Sequence, residues 1–413
     1  MKKRSVLAVC MAAVLLLTAC TATPSPLTAT DTVATFTDVT QTQLPQSVIQ
    51  IPSSLVTSLP SAGSDNSVAS VASSKPQSKP SVSSAVSKPP VAVKPETNQT
   101  KIVNYVKRPT YASVQSEIAA LAQAYPELIQ VGSIGTSVQG RDLTMLKVGK
   151  GQAKACIVAG IHAREHITVS YTMRCIEEFC AAYTSQSGKF GVYDMVNLLD
   201  SYTLYIVPLS NPDGLEIISG RATPNVTITY REDKTTGKLT TIADYKANAN
   251  GVNLNKNFPL LWDQVDTKRP TPDPENYKGT AAASEPETKA LMALCEQNDF
   301  MWMTSVHVRG DCLYWSDTLN PKVGLSETIA NQLKTKCGFY KCKTSDDVNG
   351  YGGGFENWFR QTFQKPGFCL ELMPLDIKVT SQSDANHQSF TNTVRWNTTY
   401  RVFPIMMIYG FIE

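Results

Sequence analysis

Ala155-Cys156-Ile157-Val158-Ala159-Gly160-Ile161-His162-Ala163-Arg164-Glu165-His166 runs from an uninterrupted apolar segment straight into a cluster of titratable side chains. An apolar run without polar alternation predicts a strand buried on both faces, the kind found in parallel sheets covered by helices. Outward from it the pattern alternates. A helix is expected over 168–182 and a second buried strand over 203–209, ending at the turn Asn211-Pro212-Asp213-Gly214. Upstream, Ser113 opens an amphipathic helix through Ile118 and Leu121 that Pro126 stops. Segments 129–138 and 143–148 read as a hairpin turning at Gly140-Arg141-Asp142. Downstream, Ser284-Glu285-Pro286-Glu287 reads as a capping box with an early proline, opening a helix through Leu291 and Leu294. Segments 302–308, 312–315 and 367–372 are strand-like, 325–337 is helical, and 387–411 is expected to close the chain as a helix. Such alternation argues for an α/β three-layer sandwich, a central mixed, largely parallel β-sheet flanked by helices.

The chain has four histidines, and two fall in His162-Ala163-Arg164-Glu165-His166, directly after the strand. The carboxyl end of such a strand is where ligand sites of α/β sheets gather. HxxE sets an imidazole and a carboxylate about one turn apart, and His307 ends another strand-like run. His162, Glu165 and His307 would form the open His₂Glu set of a catalytic zinc, one per chain, with a coordination position left for water. Two other readings stand beside it. As HxxEH, the motif would put His162 and His166 on one helix as ligands with Glu165 as base. Alternatively both histidines are structural and hold no metal. The inverted arrangement needs the motif inside a helix, whereas a strand precedes it here.

Further motifs stand at long spacings: Asn211-Pro212-Asp213-Gly214, Gly251-Val252-Asn253-Leu254-Asn255-Lys256-Asn257-Phe258, His307, and Phe368-Cys369-Leu370-Glu371-Leu372. With Gly160 to His166 they make residues 104–413 resemble the zinc metallocarboxypeptidases of the carboxypeptidase A/B type. Tyr245-Lys246-Ala247-Asn248, Asn276-Tyr277-Lys278-Gly279, Leu313-Tyr314-Trp315 and Gly353-Gly354-Phe355-Glu356-Asn357-Trp358-Phe359 resemble the bacterial branch that cuts γ-D-glutamyl–diaminoacid bonds in wall peptides. The resemblance implies roles. Glu371 would be the general base beside the zinc, Arg164 a substrate contact, and Asn255 part of the clamp on a terminal carboxylate.

The sequence departs from the family pattern at four places. Lys256 stands where an arginine would complete that clamp, keeping the charge without the planar fork. Lys246 takes the place of the arginine that would face the oxyanion. Asn253 replaces the aspartate expected to orient a zinc-bound imidazole. Asn349 falls where a mobile tyrosine belongs, with Tyr351 two residues on as the substitute. Glu356, before Trp358, matches the floor of the specificity pocket and implies selection of a side chain bearing an amine, such as lysine or diaminopimelate.

Residues 1–19 read as a signal peptide: a cationic start, an apolar stretch of about a dozen residues, too short to span a bilayer, then small residues. Leu17-Thr18-Ala19-Cys20 resembles a bacterial lipobox, implying cleavage before Cys20 and lipid attachment to it. Residues 20–103 are rich in Ser, Thr and Pro, a composition that predicts a disordered tether reaching on the order of 50 Å. The expected location is therefore the outer face of the cell membrane, reaching into the wall, with the membrane as a partner through Cys20. The formal charge of +3 equals that of Lys2, Lys3 and Arg4, so no basic footprint remains and nucleic acid is excluded as a partner. The ten cysteines show no CxxC spacing, and those inside apolar runs are expected to be buried thiols, with Cys337 and Cys342 the first pair to test for a disulfide. A monomeric zinc peptidase acting on small or cell-wall peptides is the leading expectation. A general scavenging carboxypeptidase and a catalytically silent peptide- or wall-binding lipoprotein are its alternatives.

Overall fold

Residues 96–232, 239–337, 340–342, 346–374 and 384–396 are described by the computed structural model. The expected signal segment, Cys20 and the linker up to residue 95 lie outside them. The strands are β1 (Ile129–Thr136), β2 (Asp142–Gly149), β3 (Ala153–Ala159), a small separate hairpin β4 (Lys189–Phe190) and β5 (Tyr193–Asp194), β6 (Tyr202–Val207), β7 (Phe300–Val308), β8 (Cys312–Tyr314), β9 (Tyr340–Cys342) and β10 (Gly367–Leu372). All but the small hairpin join one sheet in the order β1-β2-β6-β3-β7-β10-β8-β9. Its centre, β6-β3-β7-β10, is parallel, and antiparallel pairs join β1 to β2, β2 to β6 and β8 to β10. This is the mixed, largely parallel sheet expected. After β3 the chain goes first to β6 on one side, while the later parallel strand β7 lies on the other. β3 therefore ends at a topological switch point, where a crevice opens outside the strand ends.

The helices are α1 (Tyr111–Ala124), α2 (Ile167–Thr184), α3 (Met195–Ser201), α4 (Pro212–Ile218), α5 (Pro286–Glu296), α6 (Ser326–Cys337), α7 (Val348–Tyr351), α8 (Phe355–Phe363), α9 (Asp384–Gln388) and α10 (Phe390–Thr393). One apolar cluster joins the sheet to α1, α2 and α3, and a second joins it to α5 and α8. These are the two outer layers of the sandwich. β3 contributes Ala155 and Ile157 to the first cluster and Cys156 and Val158 to the second, which is why its sequence is apolar without alternation.

Several expectations need correction. Packed chain begins before residue 104: Glu177 on α2 accepts the backbone N–H groups of Lys101, Ile102 and Val103 at 2.7–3.0 Å. The capping box at Ser284 does not form. Glu285 is the N-cap of α5 and makes no side-chain cap bond. Ser284 donates to Glu285 Oε1, and Glu287 takes the N–H of Val138 and the Asn248 amide instead. The closing helix is broken at Ser389 into α9 and α10, and 397–413 lies outside the described residues. Six cysteines, Cys156 to Cys369, are free thiols and five of these are buried, while the side chains of Cys337 and Cys342 fall outside the described set.

Candidate metal centre

Gly160 follows β3 at a positive φ of 65°, and a Cβ there would press on Val169 and Leu209. The turn drops the chain out of the sheet so that His162 is extended and Ala163–Glu165 makes one tight 3₁₀ turn before α2. The segment is fixed from the side. Ala163 and Arg164 donate their N–H groups to the carbonyls of Lys246 and Tyr245. Asn211 caps α4 with its carbonyl oxygen, and its amide reaches the carbonyls of Ile161, Lys246 and Ala247. The Asn211-Pro212-Asp213-Gly214 motif is thus a clasp that holds the two segments of the site together.

His307 arrives on β7, and three donor atoms meet. His162 Nδ1 lies 2.9 Å from Glu165 Oε1 and 3.2 Å from His307 Nδ1, and His307 Nδ1 lies 3.1 Å from Glu165 Oε2. All three side chains are buried. Tetrahedral donors at zinc distances stand about 3.3 Å apart, so the spacing fits. The donor chemistry fits as well. Asn253 Oδ1 accepts the N–H of Asn255 while its amide donates to the Glu275 carbonyl. Its oxygen therefore faces His162 Nε2 at 3.1 Å, which must carry the proton. His162 Nδ1 is then a lone pair aimed at a carboxylate and a second imidazole, an arrangement that a cation resolves. Without one, burial holds His162 down to about 4. Burial opposes charge on His307 too, but Glu165 and Glu356 carry it up to about 10.

Glu371 on β10 is the register partner of His307 on the neighbouring parallel strand and lies half-buried at the wall of a cleft of about 300 Å³. Asn255, Tyr314, Gly350, Glu356, Asn357 and Arg360 line the rest. Lys246 Nζ stands 3.8 Å from Glu165 Oε1, so the lysine does reach the centre.

The other expected residues divide. Arg164 is not among the residues lining the cleft and is engaged with Glu275 at 2.9 Å and the Asp244 carbonyl. Asn255 lines the cleft while its oxygen accepts the N–H of Phe355 at the start of α8. Lys256 does not face the cleft freely: its ammonium donates to the carbonyls of Asn349 (2.6 Å) and Gly350 (3.1 Å), and burial lowers its pKa to about 8. Tyr351 is not a cleft residue. The single turn of α7 sends its ring into the apolar cluster with Leu254, Phe258 and Phe355. Tyr314 stands in the cleft instead, paired across the sheet with Cys369. Sequence reading gave no site role to Tyr314, although it lies inside a recognised motif, or to Arg360, which directly follows one. His166 is turned away, its Nδ1 2.8 Å from His387 Nε2, which removes the inverted arrangement.

An open His₂Glu centre at the carboxyl edge of a mixed sheet, with a carboxylate on the adjacent strand, defines a zinc metallopeptidase. The chain belongs to the zinc carboxypeptidase family, whose profile matches residues 114–374. It is 29% identical over 274 residues to gamma-D-glutamyl-L-diamino acid endopeptidase 1 of Lysinibacillus sphaericus, covering 66% of this chain and 67% of that one. Carboxypeptidase B of Canis lupus familiaris is 30% identical over 198 residues, 47% of this chain and 43% of the other. The fold matches crystalline carboxypeptidase A from Helicoverpa armigera with a TM-score of 0.55 at 16% identity, covering 76% of this chain and 78% of that one.

Proposed function

We propose that the domain hydrolyses the γ-D-glutamyl–diaminoacid amide of cell-wall stem peptides. The observation that carries the chemistry is the convergence of His162, Glu165 and His307 with Glu371 in register beside them. The substrate class is supported by the likeness to a gamma-D-glutamyl-L-diamino acid endopeptidase over two thirds of each chain. Zinc held by the three donors supplies Lewis acidity, which acidifies water and polarises a carbonyl. Glu371 takes the proton of the attacking water and hands it to the departing amine. Lys246, beside Glu165, places a cation where negative charge develops on the carbonyl oxygen. The diaminoacid side of the bond enters the cleft walled by Asn255, Tyr314 and Asn357.

The same reading puts the enzyme outside the cytoplasm, anchored through a lipid on Cys20. Mass spectrometry of the mature N-terminus tests this, an unmodified Cys20 being the adverse result. The substrate test is mass spectrometry of defined muropeptides, and of peptides ending in Lys, Arg, Phe or Glu, after incubation with zinc-loaded protein and with Glu371→Gln. A cut between D-Glu and the diaminoacid supports the proposal. Stepwise loss of L-residues supports instead a general carboxypeptidase, the activity that the carboxypeptidase B relatives are named for. Binding without turnover supports a silent wall-binding protein.

A further inference from the structure

Both metal-facing imidazoles present Nδ1 inward, so each has an Nε2 on its far side that must find a partner. Such partners set the tautomer, aim the ring and raise the basicity of the donor, and a carboxylate does this more strongly than an amide. On His162 the partner is the neutral amide oxygen of Asn253. On His307 the facing group is a carboxylate: Glu356 Oε1 lies 3.3 Å from His307 Nε2, within ion-pair distance though outside hydrogen-bond geometry. Glu356 is buried and is held in place by the hydroxyl of Ser305, two residues before His307 on the same face of β7. Its helix is seated closely. A Cβ on Gly367 would lie 2.8 Å from the Glu356 carbonyl, so α8 rests directly against the first residue of β10.

We infer that Glu356 is a positioning residue of the metal centre, acting through His307, and that the carboxylate missing at Asn253 is supplied here on the second histidine. The inference rests on zinc binding by His162, Glu165 and His307 but not on the choice of substrate. It gives Glu356 a task other than selecting an amine in the cleft, because its Oε1 faces His307 and Ser305. It also accounts for a second donor grouping, His307 with Glu356 and Cys369. While Nδ1 holds zinc, Nε2 of the same ring carries a proton and offers no lone pair, so one zinc per chain is the consistent count.

The test measures zinc affinity of the full mature chain by competition with a chromophoric chelator, which reads the centre without any peptide substrate. Glu356→Gln should weaken zinc binding by about 10–100-fold, as loss of such partners does. Adding Asn253→Asp to that variant should recover at least part of the loss by restoring a carboxylate on the other histidine. Zinc affinity of Glu356→Gln within threefold of wild type, with a changed preference between basic and neutral side chains, would overturn the inference and return Glu356 to the specificity pocket. If the variant does not fold, the zinc-loaded wild type decides through ring ¹⁵N spectra, tractable with four histidines. A His307 Nε2–H proton shifted downfield, as a hydrogen bond to a carboxylate shifts it, supports the inference; an unshifted Nε2–H, or a protonated Nδ1, overturns it. Peptidase activity can be present or absent independently of either result, so failure here is distinct from failure of the proposed function.

Discussion

Glu371 and His307 are partners on adjacent parallel strands, which puts their side chains on one face of the sheet about 5 Å apart at the backbone. That register, not local sequence, is what brings a base to the centre. Partial exclusion from water pushes the Glu371 carboxyl up to about 7, against the pull of the charge on His307. A base works only when ionised, and a zinc cation nearby favours the ionised form. The acid limb of kcat/KM is therefore expected below pH 7 and should be absent from the residual rate of a variant without the carboxylate. Glu371→Gln keeps the size and removes the proton acceptor, so kcat should fall by about 10²–10⁴-fold. Zinc affinity should change little, since Glu371 is not one of the three donors. A kcat within tenfold of wild type in the zinc-loaded variant would remove Glu371 from the chemistry.

The start of α5 shows how an element recognised correctly can carry side chains with unforeseen tasks. Pro286 does stand at the first turn, yet the acidic residues around it serve distant partners: Glu285 takes the amides of Asn248 and Asn250, and Glu287 shares the Asn248 amide. Glu287 is fully buried, and burial pushes its carboxyl up to about 7. Between its ordinary value and that one, the folded chain holds a proton that the unfolded chain has released. Stability contributed by this group therefore falls as pH rises through that window, by about 3 kcal/mol in total. Urea unfolding of the metal-free chain at pH 5 and pH 8 should show this loss, and Glu287→Gln should reduce the difference between the two pH values. Equal differences in wild type and variant would mean that Glu287 does not titrate as described. The strands were legible because their apolar runs report burial directly. The loss of the capping box, the engagement of Lys256 and the place of Tyr351 were not, because each depends on a partner brought up from far along the chain. Asn349 and Gly350 meet Lys256 across more than ninety residues, and no local spacing reports such a meeting.

At the scale of the whole molecule, the metal donors tie together segments that the sequence separates widely. His162 and Glu165 follow β3, His307 ends β7, and the neighbouring carboxylates Glu356 and Glu371 come from α8 and β10. The three donors were legible as a set because so few histidines exist, and because His162 follows one strand-like run while His307 ends another. The coupling among these segments was not, because it arises only from the sheet order. It has a thermodynamic consequence. A cation that binds the assembled donors and not the unfolded chain stabilises the fold by RT ln(1 + [Zn]/Kd), about 2.7 kcal/mol at a hundredfold excess over Kd. Without a cation, only the His307 proton stands between the buried Glu165 carboxylate and the His162 lone pair, so chelation should lower the melting temperature and loosen the ends of β3 and β7 first. Hydrogen exchange compared between zinc-loaded and chelated protein checks the second point. Faster exchange confined to residues around 160–168 and 306–310 is expected, and uniform protection with an unchanged melting temperature would mean that the three donors do not share one ion.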